Sequence, residues 1–159
     1  MDSATAVIDW RQSFEALYRD DADRLWRAVR AFADDPDIAR EAVAEAYAQA
    51  LGRGPAVRDP AAWIWRSAFR IAAGALKVRR SGDVASGQVE HIDRYENSDL
   101  LAALRQLPDS QRAAVILFYY ADLPIGEIAA RLGSNGLAVR ANLSRGRRRL
   151  RGLLGDRDD

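Results

Sequence analysis

The chain has 159 residues, with 24 Lys plus Arg against 23 Asp plus Glu, and 48% of its residues are apolar. That suits one large domain or two small ones and argues against wholesale disorder. Cysteine is absent and His91 is the single histidine, which excludes a disulfide scaffold, thiolate zinc sites and cysteine catalysis, and leaves no histidine cluster for a metal or a Ser-His-Asp machine. No apolar run approaches the roughly 20 residues that span a bilayer, and the opening MDSATAVIDW lacks the basic and long apolar segments of a signal peptide. The expectation is a cytoplasmic protein without membrane insertion, without a cofactor and not an enzyme.

The predicted elements are all helical. Phe14, Leu17, Tyr18, Leu25, Val29 and Phe32 follow the 3.6-residue period and predict an amphipathic helix over 10–33. Asp35-Pro36 supplies a cap and a first-turn proline. A second helix follows with Ile38, Ala42, Val43, Ala46, Tyr47 and Ala50 on its apolar side, ended by Gly52, Gly54 and Pro55. Asp59-Pro60 opens a third helix that is expected to run to about Arg80. Residues 81–97 lack sustained periodicity and read as a flexible, acidic linker. Four shorter helical patterns come next, near 98–106, 108–120, 124–132 and 136–154. The fold class is therefore all-α, with two small helical domains: 1–80 and 98–155, joined by 81–97. His91 falls in the linker, where a solvated side chain is the simplest reading, and Asp156 to Asp159 read as a polar tail.

Charge is distributed unevenly along this frame. Residues 1–60 hold 12 acids and 8 bases, and 81–111 hold six acids and two bases. Residues 61–80 hold five bases and no acid, and 128–155 hold seven arginines and no acid. Acid-free basic patches favour phosphate backbones. The second patch coincides with a short helix ending at Gly133 and a longer basic helix after it, the layout of a helix-turn-helix. Ile128 and Leu132 pair with Val139 and Leu143 across the turn. Opposite that seam lie Leu137, Ala141, Ser144, Arg145 and Arg148, with Arg140 on the flank and Asn135 at the start, where it also suits a cap. Arginines there can clamp phosphates or read guanine, and small residues permit close approach to base edges. The plainer alternative is an arginine-rich solvent face.

The first patch interleaves aromatics with bases in the third helix: Trp63, Trp65, Arg66, Phe69, Arg70 and Lys77. Aromatics among bases suit unstacked single-stranded bases. Trp63 is expected in the core. For Trp65 and Phe69 both readings stand, core packing or base stacking.

These residues resemble the short two-domain sigma factors of the extracytoplasmic-function (ECF) group over nearly the whole chain. In the first half the likeness is carried by Phe14-Glu15-x-Leu17-Tyr18, by Glu41-Ala42-Val43-Ala44-Glu45-Ala46-Tyr47 and by Ala62-Trp63-Ile64-Trp65-Arg66-Ser67-Ala68. In the second half it is carried by Leu107-Pro108-x-x-Gln111-Arg112, Glu127-Ile128-Ala129-x-x-Leu132-Gly133 and Val139-Arg140-x-x-Leu143-x-Arg145-Gly146-Arg147-x-x-Leu150. The resemblance implies that 1–80 is a region 2-like domain. It would bind the clamp helices of RNA polymerase core through Glu41, Ala44, Glu45 and Ala48, and the −10 element through Trp65, Arg66, Phe69, Arg70 and Lys77. It implies that 98–155 is a region 4-like domain reading the −35 element through Asn135, Leu137, Arg140, Ala141, Ser144, Arg145 and Arg148, and touching the polymerase flap. It also implies an anti-sigma factor as a partner. The chain departs from the family pattern at Ala44, Arg70, Gly74-Ala75 and Pro124. Two alternatives remain: a stand-alone helix-turn-helix regulator, and a sigma-like mimic that captures an anti-sigma factor.

Overall fold

The computed structural model describes residues 3–86 and 98–155. Helices α1 (Ser3–Ala33), α2 (Pro36–Arg53) and α3 (Pro60–Ser86) form the first half. Helices α4 (Ser98–Arg105), α5 (Asp109–Val115), α6 (Ile125–Leu132) and α7 (Gly136–Gly155) form the second, with no strand among the described residues. Two boundaries differ from the sequence reading. Helix α1 starts at Ser3 rather than near residue 10. Helix α3 continues through 81–86, because nothing after Arg80 breaks it: Gly82 costs a helix about 1 kcal/mol but does not end it. The rest of the expected linker, including His91, lies outside the described residues, as does the expected tail from Asp156.

The capping signals work as the sequence suggests. Asp35 is extended at φ −151°, and its side chain accepts from the N–H groups of Asp37 (2.8 Å) and Ile38 (3.2 Å). Its second oxygen accepts from Arg79 of α3 at 2.7 Å, so one residue caps α2 and ties it to α3. Asp59 accepts from the N–H of Ala62 and starts α3 the same way. The buried side of α2 is mostly alanine (Ala39, Ala42, Ala46, Ala50), which lets its backbone approach α1 and α3 closely. Leu25, Val29 and Phe32 of α1 and Ile64, Trp65, Ala68 and Phe69 of α3 complete that core.

In the second half Leu107, Val115, Leu117, Ile128, Val139 and Leu143 are buried together. Between α5 and α6 the chain widens into one π-helical turn, Ile116–Tyr120, closed by the N–H of Ala121 on the carbonyl of Ile116 (3.0 Å). That turn puts Leu117 inside and leaves Tyr119 and Tyr120 exposed. Helix α6 ends in a Schellman motif: Ser134 N–H reaches the Ala129 carbonyl at 2.8 Å, and Gly133 sits at φ 64°, the left-handed region glycine tolerates best. Helix α7 then starts on Asn135, whose side-chain oxygen accepts from the Ala138 N–H at 2.9 Å. The two halves pack directly on each other, and their cores form one continuous cluster. An apolar cleft of about 1190 Å³ runs between them, walled by Trp26, Leu101, Leu104, Ile116, Tyr119 and Leu150.

Candidate nucleic-acid interface

Helix α7 is fixed to the body by one side only. Val139, Leu143 and Gly146 are buried there. Gly146 is required at this contact, since a Cβ would lie 2.9 Å from a Val115 methyl carbon. The opposite side carries Leu137, Arg140, Ser144, Arg145 and Arg148, all exposed, with Ala141 between them half-buried. Leu137 is 78% exposed, an apolar side chain left open on a basic face among the described residues. The expected reading face is therefore gathered on one open side of one rigid helix. Asn135 stands at its start with its side-chain oxygen engaged as the cap. Arg147, on the flank, donates to the Tyr119 hydroxyl at 2.9 Å.

The third helix divides differently from the expectation. Arg66, Arg70 and Lys77 are exposed. Trp65 is 0% and Phe69 4% exposed, so neither ring is presented to a nucleic acid in this arrangement. The reason is that α3 is covered on two sides, by α1 and α2 and by α6, so a single core stripe underestimates its buried arc. Trp65 donates its indole N–H to Asp21 at 2.6 Å and stacks with Phe69, which meets Phe32 edge-on. The guanidinium groups of Arg24 and Arg131 lie 5.9 and 4.6 Å from the centre of the Trp65 ring.

Trp63, expected in the core, is only half-buried and stands at the rim with the Arg53 guanidinium 5.4 Å from its ring. Together with Arg58, Asp59 and Arg66 these residues line a pocket of about 300 Å³ at the start of α3. The sequence reading named Arg66 as a −10 contact and placed Trp63 in the core, but it missed Arg53 and Arg58 as their neighbours. The signal was available in Arg53, Arg58 and Arg66, three cations bracketing the short 3₁₀ turn Gly54–Ala56.

The exposed side of α2 carries Glu41, Ala44, Glu45 and Ala48 on one face, opposite the buried alanines. Gln49 donates to Glu45 at 2.8 Å. This face is acidic and small in relief, unlike the basic faces of α3 and α7. The described residues hold no cluster of three or more His, Cys, Asp or Glu able to bind a metal ion, and no helix among them is long and apolar enough to cross a membrane.

Residues 98–150 match the family model described as Sigma-70, region 4. The chain is 27% identical over 150 residues to RNA polymerase sigma factor SigV of Bacillus subtilis, covering 89% of this chain and 84% of that one. It is 28% identical over 158 residues to the RNA polymerase sigma-E factor of Streptomyces coelicolor, covering 91% and 88%. ECF RNA polymerase sigma factor SigK of Mycolicibacterium vanbaalenii is 25% identical over 162 residues. Among solved structures, the sigma factor RpoE of Bartonella quintana, in complex with the anti-sigma factor NepR, superposes with a TM-score of 0.73 at 19% identity, covering 91% of this chain and 98% of that one, a likeness of fold.

Proposed function

We infer that this chain is a sigma factor of the extracytoplasmic-function type, and that it joins RNA polymerase core and directs transcription initiation at promoters with −35 and −10 elements. The observation that carries the reading is the helix-turn-helix of α6 and α7, with its arginine face open, in a chain whose first half offers a second basic face on α3 and a separate acidic face on α2. A stand-alone regulator needs only the first of these.

In this reading residues 98–155 sit on the −35 element. Arg140, Arg145 and Arg148 contact phosphates and base edges, Leu137 and Ala141 lie against thymine methyls, and Asn135 and Ser144 complete the face. The first half, 1–80 with α3 continuing to Ser86, docks on the polymerase through Glu41, Ala44, Glu45 and Ala48. It holds the −10 strand through Arg66, Arg70 and Lys77. The pocket of Trp63, Arg53 and Arg66 takes an unstacked base, since every base has a face to stack and the arginines meet its backbone. The chain contributes binding energy and geometry, while bond chemistry belongs to the polymerase. It works in the cytoplasm, and an anti-sigma factor is its proposed negative partner, as NepR is named for the RpoE neighbour.

Truncating Arg145 or Arg148 to alanine tests the placement. In gel shifts of the holoenzyme, a base-reading arginine should cost about 1–3 kcal/mol and relax one position of the −35 element, whereas a phosphate contact should weaken all sequences alike. Wild-type binding by both variants would refute the placement of these residues on DNA.

A further inference from the structure

The pocket at the start of α3 has two kinds of wall. Trp63 and Arg66 stand on α3 itself. Ala56, Val57 and Arg58 belong to the chain between α2 and α3. In that stretch Gly54 and Val57 are half-buried, while Pro55, Ala56 and Arg58 are exposed. Its backbone hydrogen bonds run from Gly54 N–H to the Ala50 carbonyl and from Val57 N–H to the Gly54 carbonyl at 3.2 Å. Both are local. They curl the turn and do not seat it on the body of the protein.

The seat is Trp10 of α1. The three atoms nearest a Cβ built at Gly54 all belong to the Trp10 indole, at 3.4, 3.6 and 3.8 Å. Gly54 is at φ 61°, and its bare side is laid on that ring. The ring is braced in turn. Trp10 meets Phe14, its i+4 neighbour, edge-on at 6.4 Å. Phe14 meets Tyr47 edge-on at 5.9 Å, and Tyr47 is buried in α2. Because α1 starts at Ser3, Trp10 lies about two turns inside the helix and not at its fraying end.

Loops carry binding residues on a scaffold that positions them. A site built this way works only while its supporting contacts hold it to within about 0.5 Å. Loss of the Trp10 ring would loosen one wall of the pocket and leave the wall on α3 in place.

We propose that Trp10 is a positioning residue for this pocket. By carrying Gly54 it sets Ala56, Val57 and Arg58 against Trp63, and so decides which base the pocket accepts at one position of the −10 element. The consequence for promoters rests on the promoter reading above, whereas the support of the loop rests on the contact alone.

Two measurements on the full chain separate these parts. The first is amide hydrogen exchange of the free protein. In Trp10→Ala the amides of 54–58 should exchange about tenfold faster, the size expected for losing one packed aromatic support. Peptides from α7 should keep wild-type protection, which distinguishes a loosened loop from a lost fold. Trp10→Phe, which keeps a ring beside Gly54, should recover most of the protection. The second is run-off transcription by holoenzyme on promoter fragments randomised over the −10 element. Trp10→Ala should flatten the base preference at one −10 position about tenfold. Preference at −35 and affinity for core should stay at wild-type values, and Trp10→Phe should restore the lost preference.

Unchanged exchange at 54–58 in Trp10→Ala would overturn the support of the loop. Faster exchange with an unchanged −10 preference would overturn the specificity role. So would an equal loss at every −10 position, or a loss of core affinity, since either is what general damage to the first half produces. A wild-type protein with no −10 preference at all would count against the promoter reading, while hydrogen exchange, which needs neither DNA nor polymerase, would still decide whether Trp10 holds the loop.

Discussion

At Gly146 the meaning of a single atom is explicit. The helix α7 backbone passes so close to α5 that a Cβ would sit 2.9 Å from a Val115 carbon. Val115 is a stiff β-branched side chain on a helix, so it cannot swing aside without leaving its rotamer. Gly146→Ala should therefore destabilise the protein by about 1–3 kcal/mol, despite the better helix propensity of alanine, and a urea melt will measure it. Tyr47 gives the opposite case. Its ring is wedged edge-on against Phe14 and Tyr18, yet its hydroxyl is buried with no hydrogen-bond partner among the described residues. Leaving such a group unpaired costs about 1–3 kcal/mol, so Tyr47→Phe should melt at the same temperature or higher. Burial, with the nearby Asp21 carboxylate, also pushes the Tyr47 phenol above its ordinary value. The unfolded chain then loses this proton first as pH rises. The Tyr47 contribution is complete below about pH 10 and declines above it, and Tyr47→Phe should flatten that alkaline loss.

At the scale of elements, the caps and turns were the most legible features. Asp35, Asp59, Gly133 and Asn135 do in the structure what their residue types suggest, because capping is local chemistry. The exposed face of α7 was legible for a related reason: one seam, Val139 and Leu143, fixes the rotation of the whole helix. Helix α3 was read less well. Its burial depends on α6, more than sixty residues away in the chain, and periodicity within α3 carries no trace of that neighbour. So Trp65 and Phe69 are inside, and Trp63 is at the rim. Gly74 was noted as a departure in mid-helix, but α3 runs through it unbroken, and a Cβ there would meet nothing within 4 Å. Gly74→Ala should stabilise the protein by about 0.5–1 kcal/mol. A thermal melt no higher than wild type would contradict the assignment of that position as open helix surface.

At the scale of the molecule, the seven α-helices of the described residues divide into two bundles that share one continuous core and enclose an apolar cleft. The all-α class and the helix-turn-helix followed from the sequence, since both rest on periodicity and turn chemistry. The contact between the bundles did not, because it is built from single arginines on carbonyls, rings and carboxylates, each of which reads in the sequence as a solvated charge. The faces proposed for polymerase, on α2, and for duplex DNA, on α7, both point outward. The direct measurement is run-off transcription with purified protein, bacterial core polymerase and a fragmented genomic template, followed by sequencing of the 5′ ends. The expected result is a set of discrete starts, preceded by shared, regularly spaced −35 and −10 elements, seen only when both proteins are present. No discrete starts and no binding to core, with tight binding of the protein alone to a palindromic duplex, would contradict the account.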